Sequence, residues 1–162
     1  GAETASVMYN ASGWCQHHDI TLWAETVPID EVPYGMWPHG GAWMTRQVRV
    51  SVLLVPCSPT PLPHTRSRDQ STLGSHWQLF EHYLYGGDLE YLKEIYPLLA
   101  GASEFVIDYL SSDPRDPDVL LSGPSVSPEN TFVVSGQGEH SLSMGTTMDN
   151  EIIRLVVQGV CT

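Results

Sequence analysis

The chain has 162 residues, and its 7 Lys and Arg against 19 Asp and Glu give a formal net charge of −12. This length is sufficient for one domain with a hydrophobic core. The acidity argues against nucleic acid or an anionic membrane as a partner, because both require a basic footprint. Neither a membrane-spanning apolar run nor a signal peptide is evident, and since the chain does not begin with Met we expect the lack of a leader to reflect truncation.

Residues 13–43, "GWCQHHDITLWAETVPIDEVPYGMWPHGGAW", concentrate aromatic, histidine and acidic side chains, including four of the five tryptophans. Trp rings stack on the apolar faces of sugars, while His and carboxylates bind hydroxyl groups, so this mixture predicts a carbohydrate cleft. For any single Trp, a position in the core is the commoner alternative. The adjacent pair His17 and His18 does not predict a metal site, because neighbouring side chains point apart and no third ligand follows at a fixed spacing. The three cysteines, Cys15, Cys57 and Cys161, also lack metal-ligand spacing and leave one thiol unpaired.

Residues 45–76 differ in composition from the rest of the chain. They contain four of the seven basic residues, and four prolines fall between positions 56 and 63. The run "VSVLLV" could form a strand, but it has no partner nearby. Because a basic, Pro-rich loop of this length is uncommon in a compact domain, we expect either a disordered insertion or translated non-coding sequence.

Residues 77–110 give the clearest helical signal. The Gly pair that ends "WQLFEHYLYGG" predicts a helix stop, and Asp88 then predicts the N-cap of a second helix. Apolar residues recur at helical spacing along "LEYLKEIYPLLAGASEFVIDYL" as far as Leu110. Pro97 lies inside this run and predicts a kink or two helices, and "SSDPRDPD" then breaks the pattern.

A third helix is predicted over "TTMDNEIIRLVVQG". Thr146 is its expected N-cap, with Asp149 at the capping-box spacing, and Gly159 is its expected end. A carboxylate near a helix N-terminus complements the helix dipole, which is a sufficient structural role for Asp149.

The run "SGPSVSPENTF", residues 122–132, predicts a loop that is neither helix nor strand. Loops on a rigid scaffold commonly hold catalytic residues, and Glu129 is the one carboxylate of this run. Pro128 restricts the backbone before it. A glutamate half-buried beside aromatic rings has a raised pKa, as a general acid requires, whereas the plain alternative is a solvated surface residue.

The ordered blocks together resemble glycoside hydrolase family 95, which comprises α-L-fucosidases with an (α/α)6 helical barrel. The similar blocks, in the order of the family, are "MYNASGWCQHHDITLWAETVPID", "MWPHGGAW", "FEHYLYGGDLEYLKEIYPLLAGASEFVIDYL", "SGPSVSPENTF" and "SMGTTMDNEIIR". In the family, "FEHY" follows "MWPHGGAW" almost directly, so the resemblance breaks at the suspected insertion. It implies an all-α fold, with residues 1–162 a fragment of one (α/α)6 barrel with long loops.

The resemblance implies that Glu129 is the general acid, which protonates the glycosidic oxygen as fucose leaves with inversion. It places the basic side, an asparagine pair assisted by an aspartate, upstream and downstream of this chain, so we expect the isolated fragment to be inactive. His17, His18, Glu25 and Trp37 are the implied substrate contacts. The implied partner is an oligosaccharide or glycoconjugate, the implied parent is secreted, and no metal or organic cofactor is implied.

Two alternatives remain open at this point. Another (α/α)6 glycosidase, for example an α-L-galactosidase, differs by one substrate hydroxyl, and relative turnover of the two glycosides separates it from a fucosidase. A catalytically dead remnant that only binds sugar is the second. It is favoured by the missing base side and by Asp19 and Thr21, which stand where the family pattern "HHNTDLWGDT" has Asn and Asp.

Overall fold

The structure, a computed structural model, describes residues 1–45, 79–127 and 129–160, with the backbone alone for 158–160. The helices within these ranges are α1 (Ala2–Tyr9), α2 (Val32–Gly35), α3 (Gly40–Thr45), α4 (Leu79–Gly86), α5 (Leu89–Tyr109) and α6 (Thr147–Val160). The strands are β1 (Ser111–Asp113), β2 (Asp116–Leu121), β3 (Ser125–Val126), β4 (Phe132–Val134), β5 (Gly138–His140) and β6 (Leu142–Ser143).

The expectation of an all-α fold is wrong in the segment between α5 and α6. Three antiparallel two-stranded sheets lie there, formed by the pairs β1–β2, β3–β6 and β4–β5. The predicted loop therefore contains a short strand, Ser125–Val126, and borders another that begins at Phe132. Five of these strands are two or three residues long, which is too short for the alternation of apolar and polar residues that marks a strand in sequence. The sixth, β2, has six residues but is exposed at five of them.

Helices α4 and α5 form the predicted hairpin. The N–H of Gly87 donates to the carbonyl of Tyr83 at 2.7 Å, with Gly87 at φ 66°, so the glycine ends α4 as predicted. The carboxylate of Asp88 accepts from the backbone N–H groups of Glu90 and Tyr91, which confirms the predicted N-cap. Helix α5 continues through Pro97, so the two-helix alternative is wrong.

The hydrophobic core lies where α5 and α6 pack on each other and on α3. A second, smaller cluster joins Phe80 of α4 to Ile95 and Leu99 of α5. Ile95 and Leu99 lie on either side of Pro97, and their burial stabilises α5 across the missing hydrogen bond. The main cluster contains Ala5, Ala11, Cys15, Trp37, Ala42, Ala102, Phe105, Val106, Val126, Ile152, Ile153 and Val156.

Trp14 joins the segment after α1 to the middle of α5 by two hydrogen bonds. Its backbone N–H donates to the carbonyl of Gly101, and its indole N–H donates to the carbonyl of Leu98 at 2.9 Å. A Cβ on Gly101 would lie 2.7 Å from this indole ring, and one on Gly41 of α3 would lie 2.4 Å from it. Gly13 has φ 67°, and a Cβ there would lie 1.9 Å from the carbonyl oxygen of Gly101. These glycines let three elements meet around one aromatic ring.

The predicted insertion lies almost wholly outside the described residues, as does its candidate strand "VSVLLV". Thr45, its first residue, ends α3 and is buried. Among the helices that the structure describes, none is both long and apolar enough to cross a membrane.

Candidate active site

A buried carboxylate, Asp149, lies at the centre of the candidate site. It is in the first turn of α6 and is 0% exposed. The indole N–H of Trp37 donates to its Oδ1 at 2.9 Å, and the hydroxyl of Ser122 donates to its Oδ2 at 3.3 Å. The cap of α6 is instead supplied by Thr146, whose Oγ1 accepts from the backbone N–H of Asp149 at 3.2 Å. The N-cap prediction is therefore confirmed, but the carboxylate of Asp149 faces the interior.

The loop that carries Glu129 is anchored at its base. The backbone carbonyl of Ser122 accepts from the N–H of Gly145 at 2.7 Å, and that of Pro124 accepts from the hydroxyl of Tyr109 at 2.6 Å. Ser125 and Val126 then pair with β6 and are completely buried. The loop base is thus fixed to α5, β6 and α6.

Glu129 itself lies exposed at the tip of this loop. A turn closes beside it, in which the N–H of Asn130 donates to the carbonyl of Ser127 at 2.8 Å. Glu129 adopts φ 60°, in the left-handed region that side chains other than glycine, Asn and Asp rarely occupy. Such local strain persists only where the surrounding structure imposes it, and it is concentrated at functional sites.

Trp37 is a buried member of the site. It is 3% exposed, and its ring lies 6.3 Å from that of His18 and 6.2 Å from that of Trp43, between centroids. His18 and Trp43 are both partly exposed, with 27% of the His18 side chain accessible. Trp37 therefore supports two rings that reach solvent. The short helix α2, which precedes Trp37, packs against β3 at the base of the Glu129 loop.

The sequence profile of the glycosyl hydrolase family 95 catalytic domain matches residues 1–50 and 64–162. The chain belongs to glycoside hydrolase family 95. The match stops between residues 50 and 64, inside the predicted insertion at 45–76, whose nature stays a prediction.

Two named proteins are similar in sequence to this chain. Alpha-L-fucosidase 2 of Arabidopsis thaliana is 34% identical over 158 residues, which are 96% of this chain and 15% of the relative. Probable alpha-fucosidase A of Aspergillus niger is 26% identical over 133 residues, which are 80% of this chain and 13% of the relative. The chain thus spans about one seventh of the length of these relatives.

His17 is completely buried. Its Nδ1 is 2.7 Å from the carbonyl oxygen of Thr26 and its Nε2 is 2.5 Å from the hydroxyl oxygen of Tyr9. A carbonyl only accepts, so Nδ1 carries the proton and Nε2 accepts from Tyr9. Burial lowers the pKa of His17, which keeps this neutral form. In these contacts His17 organises the fold, and its predicted contact with substrate stays a prediction.

His39, from the block "MWPHGGAW", was not among the predicted site residues but lies beside Asp149. Its Nε2 is 3.7 Å from Oδ2 of Asp149, and its ring makes an edge contact with that of Tyr109. Within the described residues, neither ring nitrogen of His39 has a hydrogen-bond partner, although both are buried. Burial lowers the pKa of His39, while the neighbouring carboxylate acts in the opposite direction.

Glu25 is exposed in a tight loop at residues 19–26. The hydroxyl of Thr21 donates to the Glu25 carboxylate at 3.0 Å and accepts from the backbone N–H of Glu25 at 3.2 Å. The turn passes through Ala24 at φ 59° and leaves Trp23 81% exposed. Thr21, which departs from the family pattern, therefore shapes this loop around Glu25.

The structure brings His18 and Trp37 into ring contact, and it joins Trp37 through Asp149 to the base of the Glu129 loop. Sequence reasoning missed this use of Asp149, because capping-box spacing does not reveal which way the carboxylate faces. Its place inside a block shared with the family was the available signal.

Of the cysteines, Cys15 is buried and the other two lie outside the described residues. In the described part of the chain, no three His, Cys, Asp or Glu residues are grouped as metal ligands.

Proposed function

We propose that this chain is the general-acid portion of an α-L-fucosidase catalytic domain. The observation that carries the proposal is Glu129: an exposed carboxylate, held in a left-handed backbone conformation, on a loop with a buried and hydrogen-bonded base. Family membership and the names of both relatives support the substrate class. The substrates are terminal α-L-fucosides of oligosaccharides or glycoconjugates.

Glu129 in this proposal protonates the glycosidic oxygen of the departing sugar. An inverting enzyme also needs a base about 6.5–9.5 Å from the acid, so that a water molecule fits between them. The base side belongs to the remainder of the parent protein, since this chain corresponds to about one seventh of the relatives. The rings of His18 and Trp43, supported by the buried Trp37, form the sugar-binding side, and Glu25 lies on a neighbouring loop.

The finer fold is part of the same proposal. The α4–α5 hairpin, capped at Asp88 and packed on α6 and α3, supplies helices of an (α/α)6 barrel. The small sheets between α5 and α6 then act as inserts at one end of the barrel, where they carry the Glu129 loop.

We also propose that the parent protein is secreted. Asn10 opens the glycosylation signal Asn10-Ala11-Ser12 and lies exposed in the left-handed turn after α1. A glycan on Asn10 in the native protein, lost in Asn10→Gln, is the expected result. Full-length protein retained inside its native cells with an unmodified Asn10 contradicts this proposal.

The experiment that tests the activity uses the full-length protein and a fucosyl oligosaccharide, with products followed by proton NMR. We expect L-fucose to be released first as the β-anomer, because the reaction inverts the anomeric carbon. The matching α-L-galactoside, which adds one hydroxyl, is the comparison substrate. Release of the α-anomer contradicts inversion, and preference for the galactoside contradicts the substrate assignment. A full-length protein that releases no sugar contradicts the enzymatic proposal.

A further inference from the structure

Asp149 makes contacts that its place on α6 does not require. The N-terminus of α6 is already capped by Thr146, so the carboxylate is not needed there. It instead accepts from one residue of the "MWPHGGAW" block and one residue at the base of the "SGPSVSPENTF" loop. The two donors, Trp37 and Ser122, lie far apart in sequence.

The burial of this carboxylate indicates that it has a role in orienting its hydrogen-bond donors. A buried carboxylate is costly unless hydrogen bonds compensate, and an apolar side chain of similar volume fills a core at least as well. Asp149 is 0% exposed, and Ile152 and Ile153 of the same helix belong to the hydrophobic core. What a carboxylate adds there is direction: it fixes the orientation of the Trp37 indole and the position of Ser122.

Trp37 and Ser122 each lead to one half of the candidate active site. Trp37 lies beneath His18 and Trp43, the two rings that reach solvent. Ser122 begins the anchored segment that ends at the tip with Glu129. A single side chain is therefore bonded both to the tryptophan beneath these rings and to the base of the loop of the acid.

We propose that Asp149 is a positioning residue that holds Trp37 and the sugar-binding aromatic residues in register with the Glu129 loop. This proposal rests on the fucosidase function proposed above. It concerns ground-state binding of the sugar as well as turnover, because the substrate contacts are made before the acid acts. Loss of the Asp149–Trp37 bond therefore raises KM and the Kd for L-fucose.

The test compares four variants of the full-length protein for KM and kcat on a fucosyl oligosaccharide and for the Kd of L-fucose. Trp37→Phe keeps an aromatic ring, although a smaller one, and removes the N–H, so we expect KM to rise about tenfold, as for one lost buried hydrogen bond. Asp149→Ala removes the same bond from the other side, with an expected rise of at least that size. Asp149→Asn keeps an acceptor for Trp37 and offers a donor to Ser122, so its KM stays within about threefold of the wild type. Asp118→Ala, which removes an exposed carboxylate of β2, is the control and leaves KM unchanged.

The combination of Asp149→Ala with Trp37→Phe gives the sharpest readout. Because both changes remove the Asp149–Trp37 bond, the double variant should raise KM about as much as Asp149→Ala alone rather than multiplying the two effects. Multiplicative effects, or a Trp37→Phe variant with unchanged KM and Kd, overturn the positioning role. Trp37→Phe and Asp149→Asn keep the proposal testable if Asp149→Ala does not fold.

The outcomes separate this inference from the function on which it depends. A wild type that releases fucose, with variants that match it in KM and Kd, overturns the positioning role alone. A wild type that neither releases nor binds fucose overturns both. A lower melting temperature for Asp149→Ala with normal KM shows that the carboxylate only stabilises the fold, and this also overturns the proposal.

Discussion

Asp149 and Glu129 are carboxylates at opposite extremes of one structure. Asp149 is completely buried and accepts hydrogen bonds from Trp37 and Ser122. Glu129 is exposed at a loop tip, in a backbone conformation unfavourable to its own side chain. One belongs to the packed interior and the other faces the solvent from which substrate arrives.

The difference shows how a site can be both rigid and accessible. The interior around Asp149 uses close packing and satisfied donors to fix the base of the loop. The tip can then carry a strained residue, because the energy of folding is supplied by the interior. Changes in the interior should therefore lower stability, whereas changes at the tip should lower activity with little effect on stability.

The largest loss of stability is expected from Gly13→Ala. The added Cβ would meet the backbone carbonyl of Gly101 at 1.9 Å, and the residue would also have to adopt φ 67°. Overpacking and an unfavourable backbone together should lower the free energy of unfolding by about 3 kcal/mol or more. Urea unfolding of the full-length protein, followed by tryptophan fluorescence, measures this. Gly86→Ala at the end of α4 is the control, because within the described residues its Cβ would meet nothing within 4 Å. Equal stability of the two variants would contradict this packing.

Asp149→Ala should have the next largest effect. It leaves the indole N–H of Trp37 and the hydroxyl of Ser122 buried without their acceptor. A loss of about 2–3 kcal/mol in the free energy of unfolding is expected. Glu129→Ala, which removes an exposed carboxylate, should change stability by less than about 0.5 kcal/mol. If the exposed substitution is as destabilising as the buried one, the division between interior and tip is wrong.

Stability should also fall in mild acid because of His17 and His39. Burial lowers the pKa of both in the folded state, so the unfolded chain binds more protons as the pH falls below about 6.5. The contribution of these two histidines to stability is therefore fully present above this pH, and it is lost as the pH falls through their folded pKa values. The slope is at most about 1.4 kcal/mol per pH unit for each histidine. For His39, the facing groups Asp149 and His17 act in opposite directions on its pKa.

The measurement is the urea midpoint between pH 5 and pH 8. His17→Gln should flatten the profile, since Gln does not titrate. A wild-type protein equally stable at pH 5 and pH 8 would show that the buried histidines do not titrate on unfolding.

The smallest effect concerns the strain at Glu129. Asn adopts the left-handed conformation more readily than Glu or Gln, so Glu129→Asn should be more stable than Glu129→Gln by about 0.5 kcal/mol. Both variants lack the acid and should lose most of their activity on oligosaccharides. Differential scanning calorimetry of the two, side by side, detects this difference. A less stable Asn variant would show that the tip does not adopt this backbone in solution.

The sequence predicted three of the six helices in the described residues, α4, α5 and α6, and gave no signal for the shorter α1, α2 and α3. The Gly pair, Asp88 and Thr146 act on their own backbone neighbours, so their effect is local and readable. The strands between α5 and α6 were missed because five of the six contain only two or three residues, too few to show an alternating pattern. Pro97 was expected to kink α5 or divide it into two helices, and packing on both sides of it keeps one helix.

The site was predictable only in part, because several of its contacts join residues that are distant in sequence. The composition of the Glu129 loop identified a candidate acid, and the resemblance gave it a role. The direction in which Asp149 faces depends on Trp37 and Ser122, which no local pattern relates to α6. The burial of His17 depends on Tyr9 and Thr26 in the same way.

The most direct test of the central claim is Glu129→Gln in the full-length protein with two substrates. A fucosyl oligosaccharide has a sugar hydroxyl as leaving group and needs protonation, whereas α-L-fucosyl fluoride does not. If Glu129 is the general acid, kcat/KM for the oligosaccharide falls by about 10²–10⁴-fold, while that for the fluoride falls by less than about tenfold. Equal losses on both substrates, or full activity on the oligosaccharide, would contradict the assignment of Glu129 as the acid.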